Sequence, residues 1–311
     1  MWHRLQIALF VLVPAVLVAG LALFHVSVPL PVLGRGYVIR VALPDATRPM
    51  DLPRVDGPKD PSAPLVVIDA GHGGHDPGAS GIDFREKTLT LGLALALRDE
   101  LLKEGGVRVA LTRSDDRFLA LDERMEIARR LGAGLFLSIH ADSAGDKDQI
   151  AGASVYTLSA KASSEAAARV AASENSADSV NGVQLEGRSN VVASILVDLA
   201  QRRTSQQSAA FAGLILREGQ GTLQFNPDPR RSADFVVLRA PDVPSVLYES
   251  GFISNVADAQ RLMSPQGQHR FATVMARAIR IYFARQAGVS SSPFQGRILP
   301  QSNWRCTESP C

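Results

Sequence analysis

Six histidines narrow where chemistry could occur in this chain. His3 and His25 flank an apolar run near the N-terminus, and His269 stands among polar neighbours. That leaves His72, His75 and His140. His72 and His75 sit in a glycine-rich stretch, VVIDAGHGGHDPGASG (66–81), whose apolar start ends in Asp69. His140 directly follows the apolar run Leu135–Ile139, and Glu249 directly follows Val246–Tyr248. Glu86 lies between, fourteen residues after His72. A His, Glu and His set that leaves one position open for water is a known catalytic zinc arrangement. The two cysteines, Cys306 and Cys311, both fall in the last six residues, so a thiolate zinc site in the core is excluded. A tail disulfide and two idle thiols are both open readings.

Each candidate also has a plainer reading. Glu86 is well placed to be the acidic residue that a helix dipole favours in its first turn. His140 fits a hydrogen-bonded core histidine, and Glu249 fits a partner for an arginine such as Arg239. Asp69 and Asp142 suit support of neighbouring groups better than direct ligation.

The elements that must position these residues follow from periodicity. The run 65–68 reads as a buried strand feeding a tight loop. Leucines at 89, 93, 97 and 101 have helical spacing over Glu86–Lys103, and Gly105-Gly106 ends that helix. Val107–Leu111 reads as a strand. Leu119–Leu131 reads as a helix with Asp122, Glu123 and Arg124 on its wet side. Strands are then expected at Leu135–Ile139, Ala153–Leu158, Phe235–Leu238 and Val246–Tyr248, with a closing helix over Phe271–Phe283. Alternating strands and helices predict an α/β fold: a single catalytic domain, its twisted, largely parallel or mixed sheet flanked by helices. Ligands in such sheets bind beyond the carboxyl ends of strands, where His72 and His140 stand.

Composition bounds the rest. In 311 residues, a hydrophobic share of 46% supports a sizeable core, and a net charge of +2 gives no case for nucleic acid. Ile7–Phe24 is an uncharged apolar run after Arg4, which suits either a cleaved signal peptide or an N-terminal membrane anchor (1–26); both readings imply export to the periplasm, and the second adds association to the inner membrane through 7–24. Residues 27–63 are proline-rich, with one strand-like piece at Tyr37–Ala42, and read as a stalk. The catalytic domain is expected over 64–287, followed by a flexible tail, 288–311. Inside the domain, 160–220 is Ala- and Ser-rich and helical, with Ser163-Ser164 set to start a helix before Glu165, a break at Asn181-Gly182, and a long helix over Val191–Leu216.

At this point the motifs carry a resemblance. IDAGHGGHDPGASG, the Glu86-Lys87 pair, TRSDDRFLALDER, LFLSIHAD and VLYESGFISN resemble, in order, the zinc-dependent N-acetylmuramoyl-L-alanine amidases of the type that splits septal peptidoglycan. The resemblance covers roughly Leu65–Phe283. It implies one Zn2+ per chain held by His72, Glu86 and His140, with Glu249 as the catalytic carboxylate. His75 falls at a variable position and is left out of the metal shell. The implied reaction hydrolyses the amide between the lactyl group of N-acetylmuramic acid and L-alanine of the stem peptide, with peptidoglycan as the substrate. Septal members carry an inserted helix whose glutamate fills the open metal position. Here that implies an autoinhibitory plug at Glu165, with Glu174 and Glu186 as alternatives, opened by an activator protein at the division site. Many such enzymes also have a preceding β-domain, for which 26–63 is too short. Other readings are a different exported zinc-dependent amide or peptide hydrolase, and a non-catalytic peptidoglycan-binding protein.

Overall fold

The computed structural model describes residues 51–80, 84–142, 150–176 and 191–290. The apolar run 7–24, the Tyr37–Ala42 piece, Asn181-Gly182, Glu186, Cys306 and Cys311 lie outside the described residues. Among the described residues no helix is long and apolar enough to cross a membrane.

The strands are β1 (Val55–Asp56), β2 (Leu65–Ala70), β3 (Arg108–Leu111), β4 (Leu135–His140), β5 (Ala153–Leu158), β6 (Phe225–Ala233) and β7 (Ser245–Glu249). They form one sheet in the order β1-β3-β2-β4-β7-β5-β6. The four central strands β3, β2, β4 and β7 run parallel, β1 and β5 pair antiparallel with β3 and β7, and β6 runs parallel to β5. The helices are α1 (Glu86–Glu104), α2 (Leu121–Arg130), α3 (Glu165–Asn175), α4 (Val191–Gly219), α5 (Val256–Met263) and α6 (Pro265–Ser290).

Side chains alternate across the sheet with a period of two. One face carries Val66, Ile68, Leu137, Ile139, Val155 and Val246, packed against α1, α4 and α6. The leucines at 89, 93, 97 and 101 on α1 are fully buried there, as their spacing requires. The other face carries Leu65, Val67, Phe136, Tyr156 and Leu247 under α2 and α3. Toward the carboxyl ends of the strands this second face turns polar. The register aligns Asp69 with Ser138, and His140 with Glu249, with Ser154 opposite Glu249. A polar row at the ends of parallel strands is where such sheets bind ligands.

Three expectations fail, each for a tertiary reason. Residues 236–238 form a short 3-10 helix, not a strand, and the edge strand is Phe225–Ala233. That strand contains Pro227 and Pro229, which an edge position tolerates because one side of the strand has no ladder to serve. Val55–Asp56, expected within the stalk, pairs with β3 as part of the sheet. Arg124, expected on the wet side of its helix, is buried and ion-paired to Asp69.

The turn after β7 is held by one buried carboxylate. Asp258, on α5, accepts hydrogen bonds from the backbone N–H groups of Gly152 (2.8 Å) and Phe252 (3.1 Å) through Oδ2. Its Oδ1 takes Arg261 Nη2 at 2.6 Å. Replacing Asp258 by Ala leaves two buried donors unsatisfied, so Asp258→Ala is expected to lower stability by about 2–4 kcal/mol. A lower urea midpoint at unchanged slope would show it; an unchanged midpoint would refute the role.

Candidate metal centre

The loop that leaves β2 is shaped by His72, the one described non-glycine residue with positive φ (61°). Its imidazole turns back over the end of the sheet, with Nδ1 against Asp76 Oδ2 at 2.8 Å. The ring of His140, from the last residue of β4, meets it edge-on at 4.9 Å between centroids. Glu86 arrives from the first residue of α1. Its Oε2 accepts the Ala79 N–H (2.8 Å) and its Oε1 the Ala141 N–H (2.7 Å), so it ties the loop to the end of β4. Two glycines make room. A Cβ on Gly71 would lie 2.5 Å from His140 Cε1, and one on Gly78 would lie 2.6 Å from both Glu86 Oε2 and His72 Cδ2.

A fourth side chain enters from above, and it is Glu174, not Glu165. Glu174 is 4% exposed. Its Oε2 stands 3.2 Å from His72 Nε2 and 2.8 Å from His140 Nδ1. Glu86 lies 3.1 Å from His72 Nε2 and 3.2 Å from His140 Nδ1. Glu165, whose side chain is 98% exposed, reaches only Arg169. The reason is helical phase. Ser164 caps α3 by accepting the Ala167 N–H at 3.1 Å, as its sequence suggested. The buried stripe is then Ala167, Val170, Ala171 and Glu174, spaced i, i+3, i+4, i+7. Glu165 is off that stripe.

Glu249, at the end of β7, is buried beside this group, with Oε2 accepting the Asp142 N–H at 3.0 Å. Its Oε1 has no hydrogen-bond partner. Arg239 pairs with Asp234 instead, so the plainer reading of Glu249 falls. Asp142 is buried and meets the site through its backbone. Asp69 is buried one row below, holding Thr112, Ser138 and Arg124. His75 stacks on Phe118, outside the cluster.

The electrostatics are those of a charge cluster cut off from water. Burial alone would lower His72 and His140, but Glu86 acting on the first and Glu174 on the second reverse this; His72 rises well above its usual value and His140 to about 10. Burial works to raise Glu86, yet the two imidazoles hold it well below the ordinary carboxylate range. Glu249 is pushed well up, by burial first and then by the negative charge of Glu174.

One atom from each of His72, Glu86, His140 and Glu174 lies within 4.8 Å of the others, a grouping able to hold a metal ion. His72 Nε2, His140 Nδ1 and Glu174 Oε2 are buried with no satisfying hydrogen bond, although they face one another. Orphaned atoms of this kind ask for a ligand. The donor set, two imidazoles and carboxylates without sulfur, suits a catalytic zinc. Tetrahedral ligands at zinc distances stand about 3.3 Å apart, close to the 2.8–3.2 Å separations between each imidazole nitrogen and its carboxylate neighbours. The residues fit the ion.

Fold and site together define an α/β domain with a buried His and Glu group able to hold a metal ion at the carboxyl end of a mixed sheet. The profile described as N-acetylmuramoyl-L-alanine amidase matches residues 66–280. The chain is 38% identical over 221 residues to the N-acetylmuramoyl-L-alanine amidase AmiA of Escherichia coli K12, covering 70% of this chain and 76% of that one. It is 37% identical to AmiC of Escherichia coli O6:H1, covering 71% of this chain and 53% of AmiC, so it spans about half the length of that relative. The solved amidase AmiC2 of Nostoc punctiforme superposes with a TM-score of 0.51 at 29% identity, covering 72% of this chain and 99% of AmiC2. The chain belongs to the N-acetylmuramoyl-L-alanine amidase family, whose members hydrolyse peptidoglycan.

Metal binding needs neutral imidazoles, whereas in the metal-free protein the neighbouring carboxylates raise His72 and hold His140 at about 10. Zinc uptake at pH 8 is therefore expected to release about one proton per ion or more, with His140 as a source. Calorimetry in two buffers of different ionisation heat reads this directly. Equal heats in both buffers would contradict the assignment.

Proposed function

We propose that this chain is an exported zinc-dependent N-acetylmuramoyl-L-alanine amidase, closed by its own Glu174. It cleaves the amide between N-acetylmuramic acid and L-alanine of the stem peptide in cell-wall remodelling and daughter-cell separation. The observation that carries the reading is the buried convergence of His72, Glu86, His140 and Glu174 in a chain of this family. His72, Glu86 and His140 hold the ion, one per chain. When bound, zinc supplies Lewis acidity toward the scissile carbonyl and lowers the pKa of water at its open position.

The protein side chains do the rest. Asp76 accepts from His72 Nδ1 and so leaves Nε2 free to face the cluster. The Ala79 and Ala141 N–H groups fix Glu86 in one rotamer. Glu249 takes a proton from the attacking water and delivers it to the leaving nitrogen. Its unpaired Oε1 is the atom available for that transfer. The Asp142 N–H holds the other oxygen.

Glu174 occupies the position that water and substrate need. Its helix, α3, lies in the segment expected to be regulatory, and displacing α3 opens the site. An activator protein that binds this segment is the natural trigger. Export to the periplasm rests on the apolar run 7–24, as does any tether to the inner membrane.

Three variants of the full chain test the reading on purified peptidoglycan. Glu249→Gln should keep one zinc per chain and lower stem-peptide release about 10²- to 10⁴-fold. Retained activity would remove Glu249 from the chemistry. Glu174→Ala should raise basal release roughly 10-fold or more, the gain expected when a site open about one-tenth of the time becomes open throughout. Glu165→Ala should leave it unchanged. The reverse ranking would return the plug to Glu165, and two silent variants would dispose of autoinhibition.

A further inference from the structure

Residues 112–124 take no part in the chemistry proposed above, yet they hold the two largest fully buried side chains described, Arg113 and Arg124. Two buried guanidinium groups, one of them ion-paired to the buried carboxylate of Asp69, make an expensive arrangement. Burial, and then the neighbouring charge of Arg124, depress Arg113 to about 10. Their donors explain what offsets the penalty. Beyond β2 the chain leaves the sheet, and the carbonyls of Ala70, Gly71 and His72 lack ladder partners on that side. Arg113 Nε donates to Ala70 O at 2.8 Å and Nη2 to Gly71 O at 2.8 Å. Arg124 Nη1 donates to Ala70 O at 2.8 Å and Nη2 to His72 O at 2.9 Å. Three consecutive carbonyls are thus taken by two planar forks.

The same arginines reach back to what surrounds the loop. Arg113 Nη2 also donates to Lys87 O at 2.8 Å, on the first turn of α1 beside Glu86. Arg124 Nη1 also meets Asp69 Oδ1 at 2.9 Å, and Nε meets Leu119 O at 3.0 Å. A second, more exposed clasp continues the grip. Asp116 Oδ1 accepts the Gly74 N–H at 2.9 Å, while Lys87 Nζ bridges Gly74 O (2.8 Å) and Asp116 Oδ2 (2.6 Å).

We propose that Arg113 and Arg124 are positioning residues for the metal centre, which hold His72 in its left-handed conformation and so aim Nε2 at Glu86 and His140; Lys87 and Asp116 extend the hold to Gly74. A left-handed non-glycine residue is strained and persists only when its surroundings over-determine it. Here the over-determination comes from three sides: Arg124 on the carbonyl, Asp76 on the ring, and Arg113 on the preceding peptide. Lysine cannot replace either arginine, because a point charge cannot span two carbonyls with the geometry of a planar fork.

The inference rests on the reading of His72 as a zinc ligand, and the test separates the two. Zinc affinity of the full chain is measured by competition with a chelator for wild type, Arg113→Lys, Arg124→Lys and Asp116→Ala, with the thermal midpoint of each metal-free protein. The lysine variants are expected to bind zinc about 10- to 100-fold more weakly, and Asp116→Ala roughly 3- to 10-fold, the scale of lost outer contacts to metal ligands. In 15N-histidine spectra of the zinc-loaded protein, Arg124→Lys should move the His72 nitrogens and leave those of His140 in place. Loss of general stability alone would not single out one ring. Folded variants that bind zinc as wild type does would overturn the inference while leaving the metal reading intact. Should the lysine variants not fold, Asp116→Ala decides, since its side chain is exposed and its loss tolerable: weakened zinc binding supports the grip, unchanged binding sinks it. Wild type that takes up no zinc brings down the metal reading, and this inference with it.

Discussion

Glu86 is the residue on which the rest of the centre depends. A fully buried carboxylate is tolerable only when its oxygens are answered, and here both are: each takes one backbone N–H, and each faces an imidazole. Those four contacts come from two pieces of chain, the loop after β2 and the end of β4, which Glu86 joins from α1. The first-turn position that a helix dipole favours is also the position that meets the histidines. The plain reading of Glu86 and the functional one are therefore one placement.

The two faces of the sheet divide the labour. The face under α1, α4 and α6 is apolar throughout and fixes where the strands end. The opposite face is apolar at one end and polar at the other, so the same parallel strands that build the core deliver Asp69, Ser138, His140 and Glu249 in register. Strand β5, reversed against β7, sets Ser154 beside Glu249 and closes the row. The charges sit in a region that water barely reaches, which is why the imidazoles and carboxylates set one another's protonation so strongly.

The segment above the site is held more lightly than the segment below it. Helix α1 is anchored by four buried leucines, whereas α3 buries two alanines and a valine beside Glu174. Helix α3 therefore buries less apolar area than α1, and its packing contributes less. Glu174 nevertheless faces both imidazoles, and its carboxylate compensates them.

The sequence determined the parts of this molecule that rest on local rules. Spacing of apolar residues marked β2, α1, β4, β5 and β7, and the centre is met by the loop that leaves β2, the first residue of α1 and the last residues of β4 and β7. The motifs of the resemblance singled out His72, Glu86, His140 and Glu249, each next to a strongly patterned element, and the fold brings the four to one end of the sheet. What only the tertiary structure decided is less local. Asn-Pro-Asp-Pro-Arg-Arg becomes an edge strand because β5 offers it a partner, not because its composition favours one. The phase of α3 selects Glu174 over Glu165, since a helix buries whichever stripe faces the sheet. Arg124, polar among polar neighbours in the chain, is drawn inside by three carbonyls and a carboxylate that lie up to 55 residues away. Patterns of period two and 3.6 report which side of an element is wet; they carry no record of which distant groups need a charge, and the buried polar contacts of this protein are settled by that need.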